Sequence, residues 1–245
     1  MSHDFVIAPP AVPSLPVQGS EARFPVARVF CIGRNYRWQP GEPAPREMPG
    51  WFMKPASAVV PAAGALPYPP QTEDFCHEVE WVVAIGQGGA DIEAGAALRH
   101  VYGYAVGLDL TRRDLQQAAK RAGNSWEAAK AFDHSAPCTA IVPAAVCGHP
   151  QRGAIWLAVN GEVRQRADIA DLLWPVPALI AMLSRSVALQ PGDLIYTGTP
   201  AGVAALLPGD VLAAGVDGIG AITMTVAAAQ TPARIATPTL APACA

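Results

Sequence analysis

Glu78 and Glu80, in the run Cys76-His77-Glu78-Val79-Glu80, are the side chains of this sequence best suited to chemistry. Residues two apart on a β-strand point the same way. The run that follows, Trp81-Val82-Val83-Ala84-Ile85, is apolar and β-branched, so a strand is expected there. Two carboxylates side by side repel unless one is protonated or a cation lies between them. A hard divalent ion with oxygen ligands, Mg²⁺ or Mn²⁺, satisfies both. The solvated outer face of an edge strand also tolerates such a pair. Asp109 ends the glycine-containing, strand-like stretch Tyr102 to Leu108. A helix is expected at once, because Thr111 and Asp114 have capping-box spacing and Leu115, Ala118, Ala119 and Ala122 continue a helical stripe to Gly123. A carboxylate at a strand-to-helix junction can reach a ligand, although an ordinary turn aspartate reads the same way.

The elements that must position these residues are mostly strands and turns. Ile155 to Val159 and Glu162 to Gln165 flank Asn160-Gly161, a strong hairpin signal. Pro191-Gly192-Asp193 and Pro208-Gly209-Asp210 each lead into an apolar strand, and Asp217-Gly218 and Gly220 make a turn before Ile222 to Val226. Two helices are expected, one over Arg112 to Ala122 and one starting near Pro177 that carries Leu179, Ile180 and Leu183. No dinucleotide glycine fingerprint, Walker loop or regular β-α alternation is present. The fold expected is mainly β, a roll or sandwich with short helices outside. Residues 1–25 are Pro-rich and read as an extended arm with one short strand, 26–226 as the catalytic or binding domain, and 227–245 as a disordered tail.

A chain of 245 residues can bury a full core in one domain. Its formal charge of −3, without a basic block, argues against a nucleic-acid partner. No apolar run is long enough for a membrane helix, and the N-terminus lacks the layout of a signal peptide, so a cytoplasmic protein is expected. The five cysteines show no zinc-finger spacing and are expected as free thiols. Cys31 and Cys138 are expected to pack as small apolar groups.

Six short segments in fixed order resemble the fumarylacetoacetate hydrolase family, in particular its acylpyruvase-like and fumarylpyruvate-hydrolase-like members. They are Ile32-Gly33-Arg34-Asn35-Tyr36, Trp51-Phe52-Met53-Lys54-Pro55, His77-Glu78-Val79-Glu80, Gly103 to Thr111, Lys130-Ala131-Phe132-Asp133, and Tyr196-Thr197-Gly198-Thr199-Pro200. The resemblance implies a β-sandwich roll, a homodimer and a small 2-oxo acid substrate. It also implies a Mg²⁺ or Mn²⁺ ion on Glu78, Glu80 and Asp109. The family's chemistry is cleavage of a carbon–carbon bond next to a carbonyl, with the ion as Lewis acid. Lys130 resembles the family's site lysine and could neutralise charge on an oxygen. Arg34 and Lys54 are candidates for substrate carboxylates, with a salt bridge to a nearby acid as the alternative for each. Thr199 could donate a hydrogen bond or simply stabilise its turn.

The pattern breaks where relatives carry a His and a Glu three apart over the site. This sequence reads Tyr36-Arg37-Trp38-Gln39-Pro40-Gly41-Glu42, with Gln39 in the place of the His and Glu42 keeping the acid. A Gln amide cannot take a proton from water, and Pro40-Gly41 disfavours a helical lid. Glu42 acting alone with Gln39 orienting the water, His77, or His134 could supply a base, although strand alternation points His77 away from the Glu78–Glu80 face. Three functions follow: an acylpyruvate hydrolase, an oxaloacetate decarboxylase or enol–keto isomerase, or a non-catalytic 2-oxo-acid binding homologue.

Overall fold

Every side chain of the strand Val79–Ile85 is buried, and the whole molecule is arranged around it. A strand covered on both faces needs apolar residues at odd and even positions alike, which is why Trp81 to Ile85 reads as an unbroken apolar run. A computed structural model of the chain describes residues 5–37 and 47–228. Among these, an eight-stranded mixed sheet has the order Trp51–Lys54, Val29–Ile32, Leu194–Tyr196, Val79–Ile85, Val101–Leu108, Ala136–Cys138, Val59–Pro61, with Val142–Pro143 also pairing to Val101–Leu108. A five-stranded sheet has the order Glu162–Asp168, Ala154–Val159, Val211–Val216, Gly220–Ala227, Ala63–Pro67.

The two sheets share one core, in which Trp81, Val83, Tyr104 and Val106 meet Ile155, Leu157, Leu212 and Met224. Val82 and Ala84, on the other face, enter a second core with Cys31, Cys138, Tyr196 and the N-terminal residues Leu15, Val17 and Phe24. The segment expected as an arm with one short strand is therefore a hairpin from residue 14 onward, Ser14–Val17 against Ser20–Pro25, that caps this second core. Residues 229–245 of the expected tail lie outside the described residues. The architecture is the mainly β roll with few short helices that the sequence suggests.

Local signals account for most elements. Asn160 (φ 53°) and Gly161 (φ 84°) both adopt positive φ in the turn between Ala154–Val159 and Glu162–Asp168, as a type I′ hairpin requires. Helix Arg113–Ala122 stops at left-handed Gly123, whose N–H bonds the carbonyls of Ala119 and Lys120. Helix Val176–Ser186 buries Leu179, Ile180 and Leu183. Gly107 lies opposite Glu80 in the sheet, and a Cβ there would come 2.5 Å from the Tyr196 ring. That glycine is thus a packing requirement.

The capping box at Thr111 is not formed. Thr111 pairs instead with Cys76 in a short two-stranded ladder, Phe75–Cys76 with Thr111–Arg112. Its hydroxyl donates to Glu78 Oε1 at 3.2 Å. Asp114 accepts from Thr72 Oγ1 at 2.6 Å and from the N–H groups of Glu73 and Leu115. The long-range ladder outcompetes the local cap.

Candidate metal centre and cleft

Glu78 stands just before the strand Val79–Ile85 and Glu80 within it, so the pair is not a strict strand alternation. The Glu78 carbonyl accepts the Asp109 N–H at 2.8 Å, which ties the two carboxylate-bearing segments together. One oxygen of each of Glu78, Glu80 and Asp109 lies within 4.8 Å of the others, and all three residues are buried.

Three cations surround two of these acids. Lys130 Nζ donates to Glu78 Oε2 at 2.9 Å and to Asp109 Oδ2 at 2.7 Å. Lys54 Nζ lies 2.9 Å from Asp109 Oδ1, and it also donates to the carbonyls of Leu110 and Lys130. Arg113 Nη2 donates to Glu78 Oε1 at 2.7 Å, and its Nη1 to buried Gln116. Glu80 differs. Its Oε2 accepts the Gly198 N–H at 2.7 Å, and it forms no ion pair with the described residues.

The electrostatics follow from this asymmetry. Burial, with Asp109 and Glu78 beside it, pushes the Glu80 carboxyl well above its usual range. Burial alone would raise Asp109 too, but Lys130 and Lys54 hold it below its usual range. Burial disfavours charge on both lysines. Asp109 and Glu78 outweigh that for Lys130, which is held above its usual value, whereas for Lys54 burial wins and the value falls. An oxygen-only donor set is what Mg²⁺ and Mn²⁺ prefer. The Glu80 carboxylate, without a counter-charge among the described residues, is where a cation is wanting. The three carboxylates therefore fit such an ion.

A cavity of about 570 Å³ opens onto Lys130. Its walls carry Arg34, Trp51, Phe52 and Trp126. Arg34 is exposed, adopts φ 56°, and has no hydrogen-bonding or ionic partner among the described residues. Lys54 shows the salt-bridge alternative, since its ammonium is occupied by Asp109 and two carbonyls. Thr199 Oγ1 accepts from Gln165 Nε2 at 2.8 Å, and its own proton has no acceptor among the described residues. Gln39 and Glu42 lie outside the described residues. His77 is buried with Nδ1 2.9 Å from Gln165 Oε1, and burial lowers its basicity. His134 is exposed in left-handed backbone. The Cys76 thiol donates to Asp74 and is pushed up to about 12, chiefly by burial, which makes it a poor nucleophile.

Sequence reasoning missed Arg113, Gln116 and Gln165. Nothing local distinguishes Arg113 from its neighbour Arg112, which turns away to stack over Phe132. Gln165 reads as one polar residue in an exposed strand, yet it is fully buried.

This fold and site have counterparts among known proteins. Residues 28–227 match the fumarylacetoacetate (FAA) hydrolase C-terminal family, and the chain belongs to that family. It is 42% identical over 180 residues to the fumarylpyruvate hydrolase of Ralstonia sp, covering 74% of this chain and 93% of that one. It is 40% identical over 205 residues to oxaloacetate tautomerase YcgM of Escherichia coli (strain K12), covering 82% and 93%. The solved structure of fumarylpyruvate hydrolase from Pseudomonas aeruginosa in complex with Mn²⁺ and pyruvate superposes with a TM-score of 0.89 at 47% identity, covering 92% of this chain and 100% of that one.

Proposed function

We propose that the protein is a divalent-metal-dependent hydrolase that cleaves the carbon–carbon bond of an acylpyruvate of the fumarylpyruvate kind, giving pyruvate and a carboxylic acid. One observation carries this reading: three buried carboxylates converge within 4.8 Å beside Lys130, which also forms part of the wall of the cavity. The relatives named fumarylpyruvate hydrolase support the substrate class.

Glu78, Glu80 and Asp109 would hold the ion, which when bound supplies Lewis acidity to a carbonyl oxygen. Lys130, kept charged by its two acids, neutralises negative charge developing on a substrate oxygen. Arg34 receives a substrate carboxylate with its forked guanidinium. Thr199 donates its free hydroxyl proton to the substrate. Lys54 and Arg113 act through the carboxylates that they hold in place. Glu42 takes a proton from water while Gln39 orients it. The water oxygen bonds to the acyl carbon, the bond from that carbon to the pyruvyl CH₂ breaks, and the CH₂ takes up a proton to complete pyruvate. Membership of the family also supports a homodimer, which light scattering checks.

A second reading is favoured by the relatives named oxaloacetate tautomerase, from Escherichia coli and Rattus norvegicus, and by Gln39 in the place of an imidazole. Enol–keto exchange or decarboxylation of oxaloacetate needs no activated water. The deciding experiment assays purified protein with Mg²⁺ or Mn²⁺ on fumarylpyruvate, acetylpyruvate and oxaloacetate. Pyruvate release from fumarylpyruvate, with a sharp loss in Glu42→Gln, is expected. Slow hydrolysis beside fast oxaloacetate exchange would favour the second reading. In that case Gln39→His should raise hydrolysis selectively, toward the roughly 10²–10⁴-fold that a general base contributes.

A further inference from the structure

Helix Arg113–Ala122 carries Arg113 and Lys120 about two turns apart, and so on one face. Arg113 binds Glu78, which turns that face toward the carboxylates. Lys120 is exposed and forms no ion pair among the described residues. Its ammonium stands 4.6 Å from the centroid of the Trp126 ring. The Trp126 and Phe52 centroids are 6.3 Å apart, and Lys130 Nζ stands 5.1 Å from that of Phe52. Both rings are half-buried and line the cavity that opens onto Lys130. An aromatic strip therefore runs outward from the metal centre along the cavity wall, with buried Lys130 at its inner end and exposed Lys120 at its outer end.

Arg34, exposed on the same cavity, is a second cation near Lys120. Partial burial holds the Lys120 ammonium below its usual value, and the like charges of Arg113, Arg34 and Lys130 lower it further, with Glu78 opposing them. Glu78 is already paired with Arg113 and Lys130. Glu47 and Glu127 share the cavity wall, but both are exposed and neither pairs with Arg34 or Lys120. Two neighbouring cations without a counter-ion attract an anion to that end of the cavity. We infer that Arg34, Trp126 and Lys120 form its specificity end, which selects a 2-oxo acid with a second carboxylate at the far end of its chain over one whose chain ends uncharged. The inference rests on the proposed function and names the groups that would read the acyl part of that substrate. The forked guanidinium of Arg34 donates to the distal carboxylate, and the chain between the two ends lies along Phe52 and Trp126. Lys120 is a positioning residue that holds the Trp126 ring and adds positive charge beside Arg34.

The probes are 2-oxoheptanedioate and 2-oxoheptanoate, equal in carbon number and differing in the distal carboxylate, titrated by calorimetry into the full chain with Mn²⁺. Neither has the second carbonyl of an acylpyruvate, so the readout is binding without cleavage. The dicarboxylate should bind about tenfold more tightly, the effect of one hydrogen bond to a charged group, and this preference should shrink as salt screens the exposed cations. Arg34→Gln should remove most of the preference. Lys120→Gln should reduce it several-fold and Lys120→Arg should keep it, whereas a lysine that serves only the end of its helix would leave it unchanged. Equal affinities in the wild type, or an unchanged preference in either Gln variant, would overturn the inference and leave the hydrolase reading standing. Failure of both acids to bind would overturn that reading as well.

Discussion

Two buried polar clusters grip the start of the central strand, and they are built on opposite principles. Around Gln165 the groups are neutral and the amide itself is fully paired, although the buried His77 Nε2 has no partner among the described residues. The amide Oε1 accepts from the Val79 N–H at 3.1 Å and lies 2.9 Å from His77 Nδ1, while its Nε2 donates to Thr199 Oγ1 and to the Pro200 carbonyl, each at 2.8 Å. Around Asp109 everything is charged, and the matching is uneven. Glu78 and Asp109 share three cations, whereas the partner of Glu80 among the described residues is a single backbone N–H. An amide whose oxygen and nitrogen are both paired favours one arrangement of its neighbours, so Gln165 fixes where residues 77–79 and 199–200 lie. The ionic cluster, with one acid lacking a counter-charge among the described residues, is where a ligand changes the balance. Geometry is set by one cluster and chemistry by the other.

The sharpest way to break this contrast compares two acids of the ionic cluster, and it carries the largest expected effect on turnover. Asp109→Ala leaves Lys54 and Lys130 buried without their shared partner, which should cost about 3–5 kcal/mol of stability as well as metal binding. Glu80→Gln keeps the shape and the Gly198 contact but removes a carboxylate that has no ion pair. Its urea midpoint should match or exceed the wild type, while calorimetry should find Mn²⁺ binding lost. If Glu80→Gln binds Mn²⁺ as the wild type does, the triad is not the metal site.

Lys130→Met is expected to be the next largest. Glu78 keeps Arg113 and Asp109 keeps Lys54, so the fold should survive. Turnover should fall by roughly 10²–10³, the usual loss for one electrostatic contact in an enclosed site. Retained turnover in a folded variant would make Lys130 a structural member of the cluster.

The contrast also explains what was legible in the sequence. Glu78, Glu80 and Asp109 stand out because carboxylates beside an apolar strand are a local anomaly, and the Asn160-Gly161 turn is dictated by two adjacent residues. Thr111 misleads because its partner, Cys76, lies far back in the chain, and a ladder bond there excludes the local cap. Leu15, Val17 and Phe24 read as part of a Pro-rich arm, since a hairpin is recognisable only once the second core beneath it is known. Gln165 carries no signal at all. A buried amide and an exposed one are identical in sequence, and only the sheet order brings it under His77 and Thr199.

Gln165→Leu tests the neutral cluster, and its effect should fall on stability more than on turnover. The change leaves the Val79 N–H and the Pro200 carbonyl without partners, at about 1–3 kcal/mol for each buried group left unsatisfied. The expected signature is a lower urea midpoint with Mn²⁺ affinity changed by less than that of Glu80→Gln. If metal binding falls as far as in Glu80→Gln, the two clusters are not separable.

Thr199 lies where the clusters meet, and its substitution should have the smallest effect. Its oxygen accepts from Gln165 while its proton remains available. Thr199→Val removes both capacities with little change in volume, and Thr199→Ser restores both. If the hydroxyl serves only the neutral network, Thr199→Val should cost about 0.5–1.5 kcal/mol, one hydrogen bond, with KM unchanged. If the proton reaches the substrate, as proposed, KM should rise several-fold as well, and Thr199→Ser should recover both values. Measuring the urea midpoint and KM on the same three proteins separates the cases. A stability loss with unaltered KM would confine Thr199 to the frame and leave Lys130 and Arg34 as the side chains that meet the substrate.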